Sequence, residues 1–562
     1  MRQLLLFVFS AVLQVTDAAA SPYVMKWSDQ AYGPDGPWQG VAVEIGSNKQ
    51  PVALYPGANY ASTILLDSIC SNKTTSSTCY ASQAGTYNQT ESKSAVVLNR
   101  TSWETVYWSV EGKGIEGRIG DQVSFGPSVP NVSFQAVYDT YETYPNGKVY
   151  PVQVGSLALG APWTADEVDN KTTFNWIASW LYRSGGDNAI PSYSYSMHIG
   201  SAGTKVPGSL VLGGYDKSRV LGNVSAQSVS LNSDTSGQLQ IRMKDMGLGI
   251  AGGSTPPGFT SQDGIFQQSN GATLPKTVVI DPTKPYLYLP EATCDAIANS
   301  LPVSFNDGLG LYFWDTTHSN YATLMSSAPY LSFTFEQDGV SNQNITIKVP
   351  LAQLALTLQA PLVETNTTYF PCFYSTDTPV LGRAFLQSAF VGVNWHEGKN
   401  TGTWFLGQAP GPALSKAEIT PIHVSSETLS GSSGSWEQTW AQYWHLDTSS
   451  SGDKSNTNAG LSTGAKAGVG VGVSVAGLII IAAAVWLWMR RAKRHPKPAP
   501  GTGPAELPTL AREGLPQEIG ARDVYKPQGL LGSDKAAREL ETKHHPAHEP
   551  AEQVEPPRYE LG

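Results

Sequence analysis

The sequence predicts an all-β domain followed by a single transmembrane helix and a disordered tail. Across residues 37–407, short runs of alternating apolar and polar residues are separated by Gly, Asn and Pro turns, and few windows have helical periodicity. The 562-residue chain contains 15 Trp, 25 Tyr and 16 Phe beside 55 Gly and 38 Pro, a composition typical of strands and tight turns. This length is enough for two packed lobes.

The charge distribution argues against nucleic acid as a partner. Only 15% of the residues are charged, and the net charge is −10. Residues 1–489 carry a net charge of −11 and the remaining tail carries +1, so neither part has an excess of basic residues large enough to form a phosphate-binding face.

The N-terminus predicts entry into the secretory pathway. Arg2 precedes an apolar run over residues 4–15, and three alanines at 18–20 provide a small-residue cleavage site, so residues 1–20 are predicted to be a signal peptide. Acceptor sequences for N-glycosylation follow, and all lie before residue 410. They begin at Asn72, Asn88, Asn99, Asn131, Asn170, Asn223, Asn344 and Asn366.

A second apolar segment predicts the membrane topology. Residues 467–489 contain no charge and would span about 34 Å as a helix, against a hydrocarbon core of about 30 Å. Five basic residues follow between positions 490 and 497, and the positive-inside rule therefore places the C-terminus in the cytosol. We expect a type I, single-pass glycoprotein of the plasma membrane or the vacuolar membrane, with its larger part extracellular or lumenal.

The segments on either side of this helix have biased compositions. Residues 411–466 are rich in Ser, Thr and Gly and are predicted to form a stalk. Within it, Trp436, Trp440 and Trp444 have helical spacing, which leaves open packing on the ectodomain, contact with the bilayer surface or binding of a partner. Residues 490–562 are predicted to be disordered.

One short motif stands out in the predicted cytosolic tail. Pro556, Pro557, Arg558 and Tyr559 form the pattern that WW domains bind on a polyproline II backbone. The alternative is a chance match, because four residues in a Pro-rich tail are weakly specific.

Several stretches resemble one protein family in the same order along the chain. These stretches are residues 40–46 with 50–54, then 155–160, 208–216, 279–281 and 380–386. They resemble the pepsin-like aspartic peptidases (family A1), and in particular their membrane-anchored fungal members. The resemblance implies a bilobal acid-protease fold with an N-lobe over residues 21–222 and a C-lobe over 223–410. It also implies disulfides between Cys70 and Cys79 and between Cys294 and Cys372.

The two loops that would carry the catalytic acids depart from the family pattern. An aspartic peptidase needs two facing carboxylates that share a proton, each in an Asp-Thr/Ser-Gly turn. Here the resemblance aligns Tyr55 with the first acid and Asp281 with the second, and a phenol with a pKa near 10 cannot replace a carboxylate. An alternative first acid is Asp67, but it lies only 3 residues before Cys70 and lacks the following Gly.

These departures lead to one expected function and two alternatives. We expect a catalytically inactive ectodomain that acts in extracellular binding or sensing. The cleft between the lobes, with Tyr55 and Tyr60 at its floor, would take a peptide or a glycan; the alternative is that the two tyrosines are buried packing residues. Neither a cofactor nor a metal is expected. The alternatives are an active membrane-anchored aspartic endopeptidase and a structural protein of the cell surface or wall.

Overall fold

The computed structural model describes residues 20–57, 62–71, 78–107, 110–168, 172–229, 237–252, 259, 261–267, 276–338 and 343–445. All of these belong to one compact unit. Within the described ranges, no helix is both long enough and apolar enough to cross a membrane. Residues 1–19 of the predicted signal peptide, the predicted transmembrane segment 467–489 and the predicted tail lie outside the described residues.

Strands account for most of the regular structure, which confirms the predicted all-β class. The first fifteen are β1 (Tyr23–Val24), β2 (Trp27–Tyr32), β3 (Trp38–Ile45), β4 (Gln50–Gly57), β5 (Ser62–Leu65), β6 (Val96–Tyr107), β7 (Val110–Ser124), β8 (Ser128–Thr143), β9 (Val149–Pro151), β10 (Gly155–Ala158), β11 (Ala165–Val168), β12 (Thr172–Asn175), β13 (Ser194–His198), β14 (Ser209–Leu212) and β15 (Gly214–Asp216).

The second half of the domain has a similar density of short strands. These are β16 (Leu221–Ser228), β17 (Leu239–Ile250), β18 (Lys276–Ile280), β19 (Leu287–Leu289), β20 (Val303–Asn306), β21 (Leu311–Trp314), β22 (Pro329–Glu336), β23 (Asn344–Pro350), β24 (Leu356–Leu358), β25 (Thr367–Phe370), β26 (Cys372–Tyr374), β27 (Val380–Leu381), β28 (Ala389–Asn394), β29 (Thr403–Gln408) and β30 (Ile419–Pro421).

The α-helices are short and lie between strands or after the last one. They are α1 (Ile177–Ser184), α2 (Glu291–Ala298), α3 (Ser319–Ser326), α4 (Leu351–Leu354), α5 (Arg383–Leu386) and α6 (Trp436–Trp440). Single turns of 3₁₀ helix occur at Asp67–Ser71, Tyr80–Gln83, Gln89–Glu91, Gly186–Asn188 and Lys217–Arg219.

Two large sheets form the two halves, and a third sheet joins them. The first half is an eleven-stranded sheet ordered β11-β12-β8-β5-β10-β4-β3-β7-β6, with β2 on β3 and β9 on β8. The second half contains a seven-stranded sheet, β23-β22-β17-β18-β27-β19-β26, and a four-stranded sheet, β20-β21-β25-β24. The joining sheet, β1-β14-β13-β28-β29-β16, takes strands from both halves, as a bilobal fold requires. The predicted lobe boundary at residue 222 lies inside β16.

The burial patterns follow from the position of each strand in these sheets. Residues of β22 alternate between buried and half-buried along its length, because one face covers the core and the other faces outward. All six residues of β28 are buried, as expected for a central strand of the joining sheet that is covered on both faces. One continuous hydrophobic core extends through both halves.

The segment after residue 410, predicted to begin the stalk, packs on the domain. Strand β30 pairs with β15, and Ile422 is fully buried beside Tyr215 and Phe390. Helix α6 then places Trp436 and Trp440 against the domain, with Ser435 as the N-cap and Gln438 completing a capping box. The folded domain therefore continues to at least residue 444, because this packing removes the apolar surface of all three tryptophans from water. Of the three roles left open for this helix, the structure shows packing on the ectodomain.

Candidate functional site

The two halves share one local arrangement, in which a strand inserts between the two strands that flank a loop; we call it the strand crossing. In the first half, β10 inserts between β4, to which it is parallel, and β5, to which it is antiparallel. In the second half, β27 lies in the same way between β18 and β19. The C-terminal end of β4 and the loop after β18 approach each other closely. A Cβ added to Gly57 would lie 3.2 Å from Thr283 Cγ2, so a larger residue at position 57 would crowd the opposite loop.

Asp281 is the first residue after β18 and is bonded within its own turn. One carboxylate oxygen accepts hydrogen bonds from the Thr283 backbone N–H at 2.8 Å and from the Thr283 hydroxyl at 2.6 Å. This is an Asx turn, a conformation that a Pro at the following position favours by fixing its own φ. The half-buried Asp281 carboxylate thus stabilises the loop.

The crossing in the first half supplies no matching acid. Tyr55 lies inside β4, two residues before the strand ends, and pairs with Ser156. Asp281 instead follows the last residue of β18, so the two residues do not occupy equivalent positions in their strands. The absence of an acid does not depend on the alignment, because residues 55–66 contain neither Asp nor Glu. The alternative acid, Asp67, is exposed at the start of a 3₁₀ turn and does not line the cavity described below.

A guanidinium group lies beside the crossing. Arg383, the first residue of α5, stacks over the Tyr55 ring with its Cζ 4.3 Å from the ring centre, and it lies 5.1 Å from the centre of the Trp38 ring. One of its nitrogens donates to the backbone carbonyls of Pro282 at 3.1 Å and Thr283 at 2.9 Å. The arginine therefore links the turn of Asp281 to the first lobe through a cation–π contact with Tyr55.

Asp35 provides a buried negative charge near this arginine. Its carboxylate accepts a hydrogen bond from the Trp38 indole N–H at 2.9 Å. Burial raises the pKa of Asp35, while the positive charge of Arg383 and the hydrogen bond from Trp38 act in the opposite direction. Burial likewise raises the pKa of the Tyr55 phenol, which therefore stays neutral.

These residues line a cavity of about 140 Å³ between the two halves. Both halves contribute aromatic rings and charged side chains to its wall. The lining residues are Gly33, Pro34, Asp35, Tyr55, Glu142, Tyr144, Val152, Gln153, Val154, Thr283, Lys284, Pro285, Tyr286, Tyr288, Phe373 and Arg383. Asp281 does not belong to this lining. The cavity is thus a polar and aromatic pocket beside the crossing.

The aromatic part of the wall is fixed by its own contacts. The hydroxyl groups of Tyr144 and Tyr286 are 3.0 Å apart, which joins the two halves at the cavity. Tyr286 stacks on Phe373 with ring centres 5.7 Å apart, and Tyr288 lies against both rings. This packing holds the wall rigid, because each ring has neighbours on more than one side.

The outcomes for the other predicted residues differ. Both disulfides are confirmed, with Cα atoms 5.1 Å apart for Cys70–Cys79 and 5.8 Å apart for Cys294–Cys372. Tyr60 and the tail residues Pro556, Pro557 and Tyr559 lie outside the described residues. In the described part of the chain, no group of His, Cys, Asp and Glu could hold a metal ion.

The acceptor asparagines lie in different surroundings. Asn223, Asn344 and Asn366 are exposed, while Asn88 and Asn131 are half-buried. The Asn131 amide donates to the Thr173 carbonyl at 2.7 Å. Asn72 and Asn170 lie outside the described residues, as does the Asn99 side chain.

The sequence analysis missed Arg383, Asp35 and Gln153 as cavity residues. Only Arg383 gave a local signal, since a charged residue follows the apolar pair and Gly of residues 380–382. Asp35, Gln153 and Arg383 are more than 100 residues apart from one another in the sequence, so only the fold brings them together.

The family comparison agrees with this architecture. The model of the family "eukaryotic aspartyl protease" matches residues 41–401, which is more than half of the chain. No curated protein gives a significant match.

Proposed function

Because the chain belongs to the eukaryotic aspartyl protease family, we propose that it uses the protease scaffold to bind a ligand without cleaving it. The domain would act in binding or sensing on the extracellular or lumenal side of a type I membrane glycoprotein. The observation that carries this proposal is the Arg383 guanidinium stacked on Tyr55, beside the strand crossing of the first half, where residues 55–66 contain no acid. A cation favours ionised carboxylates nearby, whereas the peptidase reaction needs two acids that share one proton.

The proposal predicts that the full-length protein has no acid endopeptidase activity. We would incubate it with a denatured protein substrate between about pH 2 and pH 6, where an acidic dyad holds one proton. Statine-type inhibitors should not bind, because they imitate a transition state that this site does not form. An active pepsin-like peptidase serves as the positive control. Cleavage that stops with the inhibitor and with Asp281→Asn would refute the proposal, and loss with Asp67→Asn instead would identify Asp67 as the first acid.

A second candidate function is proteolysis by an unconventional pair of acids. Asp35 and Glu142 both line the cavity, and the negative charge of Glu142 adds to the burial effect that raises the pKa of Asp35. In general acid–base catalysis a carboxyl group with a raised pKa acts as the acid, and a neighbouring ionised carboxylate acts as the base. If this candidate is correct, the same assay detects cleavage that Asp35→Asn abolishes and Asp281→Asn leaves intact.

We further propose that the tail connects the protein to cytosolic partners. A WW-domain ubiquitin ligase that binds Pro556, Pro557 and Tyr559 would modify tail lysines and cause endocytosis. Tyr559→Ala should then lengthen the time that the protein stays at the plasma membrane or in transit to the vacuole, measured by surface labelling and chase. Unchanged turnover would show that the motif is a compositional accident.

A further inference from the structure

We propose that the cavity beside Tyr55 recognises the carboxylate of a peptide, either an Asp or Glu side chain or a free C-terminus. The inference rests on the proposed non-catalytic function and specifies its ligand. It depends on Tyr55, Gln153 and Arg383, three residues of the cavity wall that each have one buried polar atom without a hydrogen-bond partner among the described residues.

All three residues are more than nine-tenths buried. The exposed fraction is 7% for Tyr55, 8% for Gln153 and 5% for Arg383. The Tyr55 hydroxyl, Gln153 Nε2 and Arg383 Nε have no hydrogen-bond partner among the described residues. A buried donor without a partner loses its hydration and gains nothing in return, which is unfavourable for each group. Three such groups around one cavity indicate a site prepared for a ligand.

The chemistry of the three groups selects the ligand. Gln153 Nε2 and Arg383 Nε can only donate, and the neutral Tyr55 hydroxyl can donate as well. An ammonium group would leave the Gln153 and Arg383 nitrogens unsatisfied, whereas a carboxylate offers two oxygens and about four acceptor sites. Hydrogen bonds between a guanidinium and a carboxylate are also stronger than those to a neutral carbonyl.

The charges of the wall permit one more negative group. Asp35 and Glu142 oppose Lys284 and Arg383, so the wall has two groups of each sign. Burial raises the pKa of Asp35, which favours its neutral form and leaves the charge of Arg383 less compensated. The Asp35 oxygen that faces Trp38 accepts a hydrogen bond from the indole N–H. The unpartnered donors of Tyr55, Gln153 and Arg383 make no hydrogen bond to Asp35.

The size and position of the cavity favour a group at the end of a side chain or of a main chain. Its volume of about 140 Å³ is comparable with cavities of about 150 Å³ that take a benzene-sized molecule. The stacked Tyr286 and Phe373 provide an apolar wall for the methylene groups that precede the carboxylate. Because both halves line the cavity, the rest of the peptide would continue between the lobes.

The test compares two pairs of peptides with the full-length protein by titration calorimetry. The first pair is a blocked tetrapeptide of alanines with one internal Glu, and the same peptide with Gln. The second pair is tetra-alanine with a free or an amidated C-terminus. The acidic member of at least one pair should bind about tenfold more tightly, because a charge-assisted hydrogen-bond set distinguishes it from its amide. The pair that shows the preference identifies the source of the carboxylate.

Tyr55→Phe keeps the ring under Arg383 and removes only the hydroxyl donor. It should therefore weaken binding of the acidic peptide several-fold and change binding of the matching amide peptide little. Tyr195→Phe is the matched control, since its hydroxyl is also buried without a partner but lies outside the cavity lining. Equal affinities within both pairs, no binding by either pair, or a preference that Tyr55→Phe leaves unchanged would each overturn the inference. Cleavage of any peptide, detected by mass spectrometry, would instead overturn the proposed function.

Discussion

The Lys348 ammonium lies 5.2 Å from the centre of the Trp436 ring. The same ammonium is 2.6 Å from a carboxylate oxygen of Glu437 and 5.0 Å from the centre of the Tyr330 ring. Strand β23 therefore holds helix α6 by an ion pair to Glu437 and a cation–π contact with Trp436, while the contact with Tyr330 lies within the adjoining strand β22. Helix α6 lies beyond residue 401, the last residue that matches the family.

Removing Trp440, the last residue of helix α6, should destabilise the whole domain. Trp440 is fully buried, and it stacks on Trp444 with ring centres 4.9 Å apart. Trp440→Ala is expected to lower the free energy of unfolding by about 3–5 kcal/mol, the usual loss for a large buried aromatic residue. Tyr443→Ala is the control, because Tyr443 is 42% exposed and should change stability much less. Equal melting temperatures for the two variants would show that α6 does not contribute to the core.

A buried histidine should make the domain less stable in acid. Burial, and secondly the charge of Arg219, lower the pKa of His198 to about 3, from about 6.5 in the unfolded chain. His198 Nε2 faces the Gln387 carbonyl at 2.9 Å, while Nδ1 has no partner. Between pH 6.5 and pH 3 the unfolded state binds one more proton at this site than the folded state. The free energy of unfolding therefore falls by up to about 1.4 kcal/mol for each unit by which the pH is lowered.

The measurement is chemical denaturation of His198→Gln and the unmodified protein over this pH range. The variant should have a flatter stability curve below pH 6.5, while His423→Gln, at an exposed position, should follow the unmodified curve. Asp35 acts in the opposite direction, since its raised pKa favours the folded state at low pH. That contribution is common to all three proteins and cancels. Parallel curves for all three would contradict the role of His198.

Arg383 and Asp35 should be energetically coupled. Arg383→Gln removes the positive charge that lowers the pKa of the buried Asp35, together with two hydrogen bonds, and should destabilise the domain by about 3 kcal/mol or more. Asp35→Asn should be milder, because the arginine keeps its stacking on Tyr55 and its bonds to two carbonyls. In the double variant part of the loss should be recovered, with a coupling energy above about 1 kcal/mol in a double-mutant cycle. Strict additivity would mean that the two charges do not interact.

The two disulfides should differ in their contribution to stability. Cys294 and Cys372 are separated by 78 residues, and Cys70 and Cys79 by 9. The chain-entropy model gives roughly 4.5 kcal/mol for the longer loop and roughly 2.7 kcal/mol for the shorter one. Replacing both cysteines of a pair by Ala should therefore shift the denaturation midpoint further for the Cys294–Cys372 bridge. The reverse order would show that strain or residual structure outweighs loop length.

The sequence predicted those features that local patterns encode. Alternation along strands such as β22 identified the all-β class, and family resemblance identified both disulfides. The environment of Tyr55 was not predictable, because it depends on Arg383, which lies 328 residues later in the chain. Composition also misled the interpretation of residues 411–445, where small polar residues suggested a stalk while Ile422 and three tryptophans supply enough apolar surface to pack.

Both ends of the described domain are attached to two consecutive strands, β14 and β15. Strand β1 pairs with β14, and β30 pairs with the adjacent β15, each through two or three residues. If residues 467–489 anchor the chain, a pulling force on the domain enters through the tryptophans of α6 and then through β30. The segment Ser209–Asp216, which contains β14 and β15, would consequently carry the mechanical load, and the lobes with their cavity would be shielded from tension until α6 and β30 had detached.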